Sequence, residues 1–73
     1  MNTCILIGTV AWLHLTNGSG TELYINVDNI AHISWSGWVE TNGRYSNPVQ
    51  AWSEDEDRYL IGKEIMELIR ECE

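Results

Sequence analysis

Residues 52–64 read WSEDEDRYLIGKE, from Trp52 to Glu64, and two folds compete for them. Ser53 with Glu56 three residues later has the spacing of a capping box, and acids in a first helical turn oppose the positive end of the helix dipole. On that pattern one helix runs over 54–72. Against it stand Gly62, which weakens a helix interior, and "RYLI", whose residues favour strands. We therefore read a strand over 49–52, an acidic turn, a strand over 58–61, and only then a helix. Within that helix Ile65, Leu68, Ile69 and Cys72 recur at helical spacing, Lys63 and Glu64 open it, and Arg70 closes it. Glu67 and Glu71 fall on its polar face.

Working back toward the N-terminus, "TVAWLHLT" alternates Val10, Trp12 and His14 with Ala11, Leu13 and Leu15, the period of a strand. Asn17-Gly18-Ser19-Gly20 supplies a turn, and "TELYINV" resumes the alternation with Leu23, Ile25 and Val27 on one face and Glu22, Tyr24 and Asn26 on the other. Together these predict a hairpin. Ile30 and Ile33 break strict alternation, which predicts a bend at Asp28-Asn29 and a third strand ending near Trp35. Asn42-Gly43 predicts a second hairpin turn, between "GWVET" and the "RYS" of residues 44–46. The expected fold class is α+β: a small, strongly bent antiparallel sheet or partial barrel of roughly five or six short strands with one C-terminal helix, in a single domain. The expected core is Leu13, Leu15, Leu23, Ile25, Ile30, Ile33, Ile65, Leu68 and Ile69.

A chain of 73 residues buries only about 60% of the surface it exposes when unfolded, so its core is thin. Eleven acids against four bases give a net charge of −7. That charge argues against unaided binding to nucleic acid or an anionic membrane, and for partners that are basic, neutral, or another copy of the chain. The opening "MNTCILIGTVAWLHL" lacks the positive flank and cleavage site of a signal peptide and is too short to span a bilayer. A cytoplasmic protein is expected. Cys4 and Cys72, without a CxxC, indicate neither a disulfide framework nor a zinc site, and in a reducing compartment they are expected as free thiols. His14 and His32 stand in strand-like runs at no ligand spacing and are expected to be structural.

No phosphate loop, ordered Ser/His/Asp set or framework of paired carboxylates is recognisable, so neither enzymatic activity nor a cofactor is expected. Consecutive carboxylates cannot all point at one ion, which sets residues 54–57 apart from a calcium loop. The more informative feature is aromatic: four Trp and three Tyr with no Phe. Trp and Tyr suit positions where one edge meets water or a partner, and a core this small cannot hold seven large rings. Trp12, Tyr24, Trp35, Trp38 and Trp52 are thus candidates for partner contact or homodimer formation.

The order of elements resembles the short FlbD family of bacterial flagellar operons. The likeness is carried by "LTNG" (15–18), "YINVDNIAHI" (24–33) and "RYLIGKEIMELI" (58–69), about half the chain. It implies a similar scaffold and a small cytoplasmic regulator acting through a protein partner. In size and charge the chain is also similar to the small acidic proteins of phages, including anti-CRISPR proteins. The leading expectation is a non-enzymatic inhibitor that binds a basic, nucleic-acid-handling protein by carrying carboxylates where phosphates would lie. Its expected carriers are Glu54, Asp55, Glu56 and Asp57, with Glu40, Glu64, Glu67 and Glu71. A third possibility is an oligomer that binds a small ligand between aromatics of neighbouring subunits.

Overall fold

The structure, a computed structural model, describes residues 1–43 and 47–73. Among the described residues the elements are β1 (Thr3–Ile7), β2 (Val10–Thr16), β3 (Glu22–Asn26), a 3-10 turn (Val27–Asn29), β4 (Ile30–Ile33), β5 (Trp38–Thr41), β6 (Val49–Gln50), β7 (Trp52–Ser53), β8 (Arg58–Tyr59) and α1 (Gly62–Arg70). They form three antiparallel sheets, ordered β1-β2-β3, β4-β5-β6 and β7-β8. The fold is α+β with one C-terminal helix. The sheets do not close into a barrel.

The strands are more numerous and shorter than the sequence predicts because two apolar runs are cut. Gly8, at φ 65°, makes a two-residue turn that brings Ile7 opposite Val10 and separates β1 from β2. Positive φ at the first of two central turn residues is the geometry that matches strand twist, and glycine adopts it without steric penalty. The second cut falls at Ala51, within the predicted strand over 49–52. Val49 and Gln50 pair with β5, while Trp52 and Ser53 pair with β8. The strand predicted over 58–61 shortens to β8, and the one predicted to end near Trp35 ends at Ile33. The hairpin partner predicted over 44–46 lies outside the described residues; the partners β5 has among them are β4 and β6.

The alternation of β2 and β3 is as read. Cys4, Leu13 and Ile25 lie opposite one another across the first sheet and point into a core with Leu15, Val39, Ala51, Leu60 and Ile65. Ile30, Ile33, Leu68 and Ile69 pack around it partly buried. Val39, Ala51 and Leu60 take inner positions that the expected core lacks, and Leu23 is only half-buried.

Two glycines hold the second sheet against the start of the helix. The turn after β4 is closed by Gly37 N–H donating to Ser34 O at 3.0 Å, and Gly62 N–H donates to Trp35 O at 2.9 Å. A Cβ on Gly37, at φ 100°, would collide with the Leu60 carbonyl oxygen, and one on Gly62 with the Ser34 carbonyl oxygen. Gly62 is therefore a point of close backbone approach as well as a helix start.

The cysteines correct the sequence reading. Cys4, in β1, and Cys72, just beyond α1, are joined in a disulfide with their Cα atoms 5.7 Å apart. Neither is a free thiol. The helix follows the chain far from β1 in sequence, but it docks beside that strand, and the cysteine at the end of its apolar face meets the buried Cys4.

Candidate interaction surface

The acidic stretch is the tip of the β7–β8 hairpin. Trp52 pairs with Tyr59 and Ser53 with Arg58, leaving residues 54–57 as the connecting loop. The Ser53 hydroxyl, which could have begun a helix, instead accepts the Glu56 N–H at 3.3 Å within the turn. Asp57 completes the reversal at φ 52°, a left-handed conformation that Asp tolerates better than most residues with a Cβ. Trp52 and Tyr59 stack edge to face with centroids 4.9 Å apart, which braces the base of the hairpin.

One guanidinium organises the charges. Arg58 donates from Nη1 and Nη2 to the two carboxylate oxygens of Glu64, each at 2.7 Å. Its Nη2 also lies 2.7 Å from Glu56 Oε2. The Arg58 hydrogen bonds, followed by the Ile61 N–H at 3.0 Å, lower the Glu64 pKa from 4.5 to about 2; in turn the Glu64 contact, followed by the charge of Glu56, raises that of Arg58. Paired Arg–carboxylate bonds of this kind are strong and directional. They fasten the hairpin to the first turn of α1. Glu64 also satisfies one of the unpaired amides at the helix start, while Ile61, having no side-chain oxygen, cannot make the reciprocal bond of a capping box.

The eight expected acidic contacts divide accordingly. Glu56 and Glu64 are held by Arg58, and Glu40 lies 2.6 Å from His32 across β4 and β5. Glu54, Asp55 and Asp57 are exposed and form no ion pair with a described cation. Glu67 and Glu71 are exposed on and just after the helix. Among the described residues the hairpin tip thus keeps three carboxylates without an ion pair, and Glu64 serves the fold. Sequence reading missed Arg58 as the organiser. The available signal was its position as the single base directly after four acids and six residues before Glu64.

The aromatic candidates also separate. Trp35 is 83% exposed at the turn after β4, and Tyr24 60% exposed on the outer face of the first sheet. Trp38 is partly exposed, while Trp12 and Trp52 are half-buried. Both histidines pair with carboxylates: His14 stacks on Tyr24 at 4.5 Å and lies 3.1 Å from Glu22. Among the described residues no group of three or more His, Cys, Asp or Glu side chains could hold a metal ion, and no helix is long and apolar enough to cross a membrane. No protein-family model, curated protein or solved structure matches the chain.

Proposed function

We propose that the protein is a non-enzymatic inhibitor of a nucleic-acid-handling protein, and that the β7–β8 hairpin tip occupies a basic groove in place of phosphates. The observation that carries this reading is the placement of Glu54, Asp55 and Asp57 at the end of a short hairpin, without a described cation, on a chain of net charge −7. The Arg58 clamp anchors the projecting loop to the helix. A loop held in one conformation loses less entropy when a partner binds than a free acidic tail does. Carboxylates so held raise the association rate with a basic surface and make binding sensitive to salt.

The reading places the protein in the cytoplasm, with its partner. The Cys4–Cys72 bridge pulls the other way, since such bonds persist in oxidising compartments. Alkylation of thiols at the moment of cell lysis, followed by mass measurement, tells whether the bridge exists in the compartment where the protein works.

The function is tested by capture from a host lysate on the immobilised protein. The wild type is expected to retain nucleic-acid-binding proteins at low salt and to release them as salt rises. A variant carrying Glu54→Gln, Asp55→Asn and Asp57→Asn is expected to lose them, with Glu56 left in place to hold Arg58. Equal retention by the neutralised variant removes the hairpin tip from the interface and with it this proposal.

A further inference from the structure

Beside the hairpin tip lies a cleft of about 320 Å³, walled by the end of β2, by β7 and the acidic loop, and by the helix. Its apolar lining is Met1, Trp52, Leu60 and Leu68, and its acidic lining is Glu54 and Asp55. The walls are tied together. Asn2, also in the lining, donates from Nδ2 to Trp52 O at 2.8 Å and accepts the Thr16 N–H on Oδ1 at 2.9 Å, bolting β2 to β7. Among the described residues no Lys or Arg lines the cleft. Met1, which lines the cleft, carries a cation of its own, and that α-ammonium is engaged by Thr16 Oγ1 at 3.3 Å and lies 4.0 Å from Glu22.

We infer that this cleft takes one alkyl cation, the side chain of an arginine or lysine on a basic protein. The chemistry matches at both ends. Such side chains carry an apolar stem beneath a charged head, and they bind where the stem lies on apolar surface while the head meets carboxylates. Trp52, Leu60 and Leu68 receive the stem. Glu54 and Asp55 receive the head, and an indole beside a cation adds a cation–π contribution. An anion is repelled by the two carboxylates, and a neutral apolar ligand gains nothing from them. The inference rests on the proposed function and adds to it: the acidic tip selects a basic surface, and the cleft fixes the register on that surface by admitting one side chain.

The test is an amide NMR titration of the whole protein with n-butylguanidinium, with guanidinium and n-butylurea as controls, all at millimolar concentrations. The expected result is saturable shifts at Thr16, Trp52, Glu54, Asp55 and Leu68 with n-butylguanidinium. Each buried methylene strengthens binding about fourfold, so with two or more carbons of the butyl chain buried bare guanidinium should bind about 16-fold or more weakly. Butylurea, similar in shape but uncharged, should give no saturable shifts. The Glu54→Gln, Asp55→Asn variant should abolish the response with its melting temperature retained. Shifts confined to residues 54–57, equal affinity for guanidinium and its butyl derivative, or equal binding of butylurea would each overturn the inference. Partner capture in the face of such a result would leave the charge-mimic reading standing without the cleft; a positive titration without partner capture would do the reverse.

Discussion

Reduction of the Cys4–Cys72 bridge should remove a large share of the domain's stability. The two cysteines are 68 positions apart, and closing a loop of that length lowers the entropy of the unfolded chain by an amount equivalent to about 4 kcal/mol at 25 °C. A chain of 73 residues at about 0.05–0.15 kcal/mol per residue has a total stability of roughly 4–11 kcal/mol. The bridge therefore contributes between a third and nearly all of it. In the chain-entropy account this loss falls on the unfolded side of the equilibrium. The assay is urea unfolding followed by Trp fluorescence, with and without dithiothreitol, with thiol titration to confirm the state of the cysteines. With a urea dependence of about 1 kcal/mol/M for so small a domain, the midpoint should fall by about 4 M, or the reduced protein should be unfolded without urea. The Cys4→Ser, Cys72→Ser double variant should behave similarly. Coincident midpoints for the confirmed oxidised and reduced forms would refute the reasoning and show that the helix is held to β1 by packing alone.

Three further perturbations address the parts that position the hairpin. Gly37→Ala should cost about 2–4 kcal/mol, because it combines a left-handed backbone with a Cβ driven into the Leu60 carbonyl, and the midpoint of thermal or urea unfolding reads this. Asp57, also at positive φ, should respond in opposite directions: Asp57→Gly should leave stability unchanged or raise it by up to about 1 kcal/mol, while Asp57→Val should lower it by about 1–2 kcal/mol. Glu64→Gln tests the Arg58 clamp. The Glu64 pKa is lowered on folding, so its contribution is present above its unfolded value of 4.5 and is lost as pH falls through about 2. Its side chain is 26% exposed, and screening limits the contribution to about 1 kcal/mol. The wild type should lose about that much more stability than the variant over this pH window.

Local pattern carried the sequence reading well where one residue decides its own environment. Period-two alternation located β2 and β3, the Asn17–Gly20 tetrad located their turn, and the spacing of Ile65, Leu68 and Ile69 identified the buried helical face. The competition over residues 52–64 came out as hairpin, then helix, because Gly62 must approach the Ser34 carbonyl and because Arg58 joins the two elements. What escaped were contacts between segments distant in sequence. The partition of Val49–Gln50 and Trp52–Ser53 between two sheets depends on what lies on either side of Ala51, and the meeting of Cys4 with Cys72 depends on how α1 docks against β1. At the candidate site the acids were visible as a run. That three of the four form no ion pair with a described cation, while Glu56 shares one guanidinium with Glu64, depends on side-chain geometry that no run of letters contains.

The direct measurement is competition between the protein and an oligonucleotide for the captured partner, followed by fluorescence anisotropy of the labelled oligonucleotide. Wild-type protein should displace the nucleic acid, with an affinity that falls steeply as salt rises. The Glu54→Gln, Asp55→Asn, Asp57→Asn variant should displace it weakly and with a flatter salt dependence. A ternary complex in which protein and oligonucleotide bind the partner together without interference would contradict the charge-mimic reading.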